Sequence, residues 1–319
     1  MFAIAPYLVE VRDSYKQPQD LWDFYNKNNL RDVLLDYYKA NLRKYQPALD
    51  KSQQRMFMVS QLCTSTPTSV AGVYATGQFG FESDIYSIEA KKITHNRKID
   101  EADMVPFNFG FYMPQASISG QRARGLLLLG RRQALGIRHI TIPHLQHYFR
   151  NRFQDLTLNI ERVVPKLVME ALLKGGALKT IRLIKKNLPQ DIADVFSISD
   201  RDNIHEIELV IRSKRKSHFS DVNWLLEAFQ GKASSASEII TIPSFTHDNL
   251  KLEVSIDGRK RTVNVGKPGN FSSNIELENL KPTASGHPDL PDWLREADEL
   301  ASNIVQSWGV AGMSWNSAV

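Results

Sequence analysis

The chain is expected to fold as α+β, with a mixed, mostly antiparallel sheet, flanking helices and a smaller C-terminal α/β region. Three observations predict this. Apolar and polar residues alternate with a period of two in many short stretches of the first half. Helical periodicity appears only at scattered intervals. The regular strand–helix alternation of a doubly wound parallel sheet is absent.

FAIAPYLVEV (2–11) alternates loosely and reads as a strand. Residues 20–48 read as helix, because Leu21, Phe24, Tyr25, Leu30, Val33, Leu34, Tyr37, Tyr38 and Leu42 recur at roughly helical spacing. Asp20 can cap it, the polar run Asn26–Asn29 can divide it, and Pro47 ends it. A β-rich block follows, with strands expected at 55–64, 69–81, 84–93 and 105–114. In the last of these a period of two puts Phe107, Phe109 and Phe111 on one face. GLLLLG (125–130) is continuously apolar and suits a central strand buried on both faces, with IRHITI (137–142) as a pairing candidate. Pro143 suits a first helical position, so 144–153 is expected to be a short basic helix.

LTLNIERVV (156–164) reads as a strand or a helix start, and 165–175 as a helix stopped by Gly175–Gly176. LKTIRLIKK (178–186) and HEIELVIRSK (205–214) read as strands, and 221–230 as a helix. Residues 252–265 carry the clearest hairpin signal, Asp257–Gly258 between β-branched runs. Residues 266–287 are rich in Gly, Pro, Ser and Asn and read as linker, followed by an amphipathic helix at 290–308. Three consecutive regions are expected: an α+β domain over 1–190, an α/β region over 191–270, and linker plus acidic helix over 271–319.

At 319 residues and 42% hydrophobic, the chain can bury a core. No run of about 18 apolar residues exists, so no membrane-spanning helix is expected. The opening MFAIAPYLVEVRD lacks a basic n-region and is interrupted by Pro6 and Glu10, unlike a secretory signal. A lone Cys63 excludes an internal disulfide and any multi-cysteine zinc site. A soluble, cytoplasmic protein is the expectation.

The net charge of +5 conceals an uneven distribution. Residues 121–187 hold fourteen basic and three acidic side chains, a net of +11, and nine of the fourteen are Arg. Arginine suits planar, bidentate phosphate contact. Arg212, Lys214, Arg215 and Lys216 form a second cluster, and Arg259, Lys260 and Arg261 a third at the hairpin tip. Residues 271–319 carry a net of −5. This asymmetry points to a polyanionic partner, DNA or RNA. The residues expected to contact it are Arg131, Arg132, Arg138, Arg150, Arg152, Lys185 and Lys186, with the second and third clusters as auxiliaries.

Other chemistry is less well supported. Asp84, Glu89 and Lys91 resemble the acid, then acid-x-lysine pattern of a metal-dependent nuclease, but their spacing is poor. On a single strand Asp84 and Glu89 would face opposite sides, while Glu89 and Lys91 would share one. Glu206 and Glu208 share a strand face; such acids more often pair with basic neighbours, here the 212–216 cluster. His144 and His147 are one helical turn apart, yet their arginine neighbours favour phosphate over a cation. GVYATGQFG lacks a Walker lysine and the dinucleotide spacing. GQFGF and FNFGFY resemble base-stacking strands, without the leading basic residue. No cofactor and no metal site is expected.

GLLLLGRRQALGIR (125–138) and GALKTIRLIKKNLPQDIADVF (176–196) resemble stretches of bacterial proteins of unassigned function carried by phage-defence loci and mobile elements. That resemblance implies a defence role and assigns no residue. The leading expectation is nucleic-acid binding through the phosphate backbone with little sequence specificity. Two alternatives stand beside it. One is a metal-dependent nuclease with a dispersed carboxylate site. The other is an interaction subunit, docking a protein through Trp293, Leu294, Ala297, Leu300, Ile304 and Trp308 or folding its acidic helix back on the basic middle.

Overall fold

The computed structural model describes residues 2–114, 123–133, 135–163, 177–186, 206–215, 217–219, 222, 240, 242, 246–256, 259–265, 274–277 and 280–308. The helix expected at 165–175, all but Val222 of the helix expected at 221–230, the Asp257–Gly258 turn and Lys216 lie outside these residues. The fold is α+β and mostly antiparallel, as expected. No helix among the described residues is long and apolar enough to cross a membrane.

The chain divides into two compact units, each built from discontinuous segments rather than from the three consecutive regions expected. The first comprises Tyr7–Glu161, Lys281–Ala301 and the last residues; the second comprises Met1–Pro6, Arg162–Leu280 and Ser302–Gly312.

In the first unit the elements are β1 (Phe2–Arg12, from Tyr7 on), α1 (Leu30–Ala40), β2 (Gln46–Pro47), β3 (Arg55–Thr66), β4 (Ser69–Gln78), β5 (Ser83–Ser87), β6 (Lys92–Arg97), β7 (Val105–Tyr112), β8 (Gly125–Arg132), β9 (Leu135–Gly136), α2 (Arg138–Arg152) and β10 (Thr157–Arg162). Its sheet runs β1-β8-β7-β4-β3-β2. Strands β7 and β8 are almost wholly buried, and β8 accordingly reads as a continuous apolar run. Tyr38 packs against Tyr74 and Phe109, and Phe57 against Tyr74 and His144, which seats both helices on this sheet.

Several expectations change here. Residues 20–29 are not helical. Tyr25, Asn26 and Lys27 have positive φ within a loop closed by reciprocal backbone bonds between Phe24 and Asn28, and α1 starts at the Asn29 cap. Leu21 and Phe24 are buried regardless, which is why the apolar spacing imitated a helix. Residues 84–93 are not one strand, because the chain reverses at 88–91 and β5 pairs with β6. The stretch 137–142 is helical, not a strand. Ile137 O accepts from Ile140 N and Thr141 N, so Pro143 sits inside α2 instead of starting it.

The second unit holds β11 (Ala177–Lys186), β12 (Glu206–Arg212), β13 (Asn249–Ile256), β14 (Arg259–Val265) and β15 (Asn274–Glu276). With the first residues of β1 they run β12-β11-β13-β14-β15-β1, antiparallel at every pairing. The linker reading therefore fails at 274–276, which is a paired strand. One face is apolar, with Ile181, Leu183, Leu250, Leu252, Val263 and Ile275 buried. Helix α3 (Leu290–Ser307), which belongs to the first unit as far as Ala301, buries the apolar stripe Trp293, Leu294, Ala297, Leu300 and Ile304. That stripe belongs to the core and is not presented to a partner.

Candidate nucleic-acid interface

Antiparallel register decides which basic residues of the second unit come together. Thr180 of β11 lies opposite Arg212, the last residue of β12. At that same end Leu178 lies opposite Val254, and Val254 opposite Arg261. Ser255 is likewise opposite Lys260, and Ile256 opposite Arg259. One end of the sheet thus gathers Arg212, Lys179 and the backbone positions of Arg259, Lys260 and Arg261. It spans three strand spacings, or ~14 Å.

The chain leaving β12 stays at this end. Ser213 N donates to Lys179 O at 2.9 Å and Phe219 N to Leu178 O at 3.0 Å, so Ser213 and Phe219 both lie against β11. Ser217 N closes a turn on Lys214 O at 2.9 Å, and Lys179 Nζ donates to Ser217 O. Lys214, Arg215 and His218 are exposed on this braced loop. Seven basic residues from three strands and one loop therefore share one end: Lys179, Arg212, Lys214, Arg215, Arg259, Lys260 and Arg261.

Two cations further along the sheet are already paired. Arg182 bridges Glu208 at 2.9 Å and Glu253, a residue only 4% exposed. Those carboxylates raise the Arg182 pKa, outweighing the opposing effect of burial. Lys251 faces Glu276 at 3.6 Å. Glu208 accordingly pairs with Arg182 and not with the 212–216 cluster.

Lys185 and Lys186 are at the opposite end of β11, ~23 Å from Lys179 at strand rise. There Lys186 lies opposite Glu206, and Lys185 Nζ donates to Thr246 Oγ1 at 2.7 Å. They do not join the basic end.

The remaining candidates belong to the first unit, at the two ends of α2. Arg131 and Arg132 finish β8 opposite Gly136 and Leu135. Arg138 opens α2, 6.0 Å above the Tyr7 ring. Arg150 is exposed, ~18 Å further along α2. Arg152 is bound to Asp36 at 2.9 Å. Burial lowers the His144 pKa, and its Nε2 donates to Pro47 O at 3.0 Å. Exposed His147 is bonded by Asn151. Phe107, Phe109 and Phe111 are buried, so no base can stack on them.

The carboxylate candidates do not converge. Asp84 sits inside β5 and accepts from Asn96 Nδ2 at 2.6 Å, whereas Glu89 and Lys91 lie in the turn beyond Ser87, with Lys91 at positive φ. Glu89 and Lys91 therefore do not share a strand face. Glu206 and Glu208 are in the other unit. No group of three or more metal-ligating side chains assembles among the described residues. The acids of α3 are engaged, Asp292 with Arg295 at 3.0 Å and Asp298 with the Tyr112 hydroxyl at 2.8 Å.

No protein-family model matches this chain, and no curated protein matches it in sequence.

Proposed function

We propose that this chain binds nucleic acid through the phosphate backbone, using the basic end of the second unit's sheet, and that it does so as a phage-defence component. The observation carrying the binding is the convergence of Lys179, Arg212, Lys214, Arg215 and the 259–261 positions at one strand end, beside a sheet in which Arg182 and Lys251 are held by carboxylates. The defence setting comes from the sequence resemblance alone.

Backbone contact by lysine and arginine releases condensed counterions, which supplies affinity without reading bases. A braced loop holding Lys214 and Arg215 spends little conformational entropy on contact. Two double variants test the assignment on one labelled duplex and one labelled single strand. Lys214→Ala with Arg215→Ala should weaken binding by about tenfold or more, equally across sequences, and flatten the salt slope by about 2. Lys185→Ala with Lys186→Ala should leave affinity within about twofold. The reverse ranking would move the interface away from this end.

A further inference from the structure

Six large apolar side chains exposed on this protein cluster in one short stretch: Phe81, Ile85, Tyr86, Ile88, Ile93 and Ile99. The stretch is the arm formed by β5 and β6, which make their own two-stranded sheet. Two strands alone are marginal in water. This arm is rooted by Arg97, whose guanidinium lies 4.1 Å over the Phe81 ring and donates to Gln78 O and Phe81 O. Glu101 adds a brace, accepting from Lys98 N at 2.9 Å and bonding His95 at 2.8 Å.

The register sorts the arm into two faces. Tyr86 is opposite Ile93 and Asp84 opposite Asn96. Glu82 and Lys98 flank the last pair of the ladder, Ser83–Arg97, at the base of the arm, and both are exposed. This face therefore has an apolar tip, with Tyr86 58% and Ile93 49% exposed and Ile88, in the turn, 88% exposed. Its base carries acid on the β5 side and a cation on the β6 side.

The arm's charge argues against a polyanion. Residues 82–101 hold five acids and four lysines or arginines. A surface that is apolar, almost neutral and split into acidic and basic halves is complementary to itself.

We propose that this face docks against the same face of a second copy of the chain, about a two-fold axis along the arm. Such an axis lays β5 of each copy over β6 of the other. Tyr86 meets Ile93 of the second copy, and Glu82 meets its Lys98, twice over by symmetry. The contact is small, so a dissociation constant of about 10–500 μM is expected.

Sedimentation velocity of the full chain, up to roughly 500 μM, tests this. The unaltered protein should dimerise with concentration, and Ile93→Asp, which changes an exposed side chain, should weaken the dimer by about tenfold or more. Glu82→Lys and Lys98→Glu should each weaken it about three- to tenfold, because each places like charges together. An equimolar mixture of those two variants restores both opposite-charge pairs and should associate more tightly than either alone. A chain that stays monomeric at every concentration overturns the proposal. So does a mixture no tighter than its components, or an Ile93→Asp variant that dimerises normally.

Discussion

Arg182 is the residue on which the polar face of the second unit depends. It holds Glu208, and it holds Glu253, which is buried. Removing one partner of a buried ion pair typically costs about 3–5 kcal/mol. Arg182→Met should therefore lower the urea midpoint of the full chain strongly. Arg182→Met combined with Glu253→Leu should recover most of the loss, because a well-packed apolar replacement of both partners is often neutral. A double variant no better than the single would mean that Glu253 is held by other groups. The same pairing explains a misreading. Arg182 counts in sequence as one more cation of a basic segment, yet in the fold it serves the sheet. Arg152, tied to Asp36, is spoken for in the same way. Residue type and local density reveal charge; only the fold reveals which charges remain free.

At the scale of elements, strands were more legible than their ends and turns. The strand at 105–112, the apolar one at 125–132 and the pair at 249–265 lie where alternation and the Asp-Gly signal put them. Helix and turn assignments failed where burial was misleading. Leu21 and Phe24 are core residues in a loop, and Ile140 and Ile142 are β-branched residues in a helix. Nothing in the local pattern of 84–93 reported the reversal at 88–91, since its turn lacks Gly, Asn and Pro. One glycine does carry an element-scale consequence. A Cβ on Gly72 of β4 would collide with the Gln61 carbonyl oxygen and come within 3.0 Å of the Phe109 ring. Gly72→Ala should thus destabilise the first unit by about 1–3 kcal/mol, measured as a lower denaturant midpoint. An unchanged midpoint would show that β3 and β4 yield easily at this position.

For the whole molecule, charge was the most informative sequence property, and also the one most altered by the fold. The stretch 121–187 looked like the binding segment because its cations are contiguous in sequence. Folding divides them between two units and sends Lys185 and Lys186 to the strand end away from Lys179. Contiguity in space belongs instead to residues drawn from 179, 212–215 and 259–261, which antiparallel pairing brings to one end of the sheet. Two of those groups were visible as clusters in the sequence. Their meeting was not, because it depends on strand order and register, which no local pattern encodes. We propose that this assembled strand end holds phosphates. Its most direct test is the affinity of the full chain for a labelled duplex as salt rises from about 50 to 200 mM. With roughly five to seven cations neutralising phosphates, the log–log slope should be about −4 to −6, a loss of some two to four orders of magnitude. A flat response would contradict it.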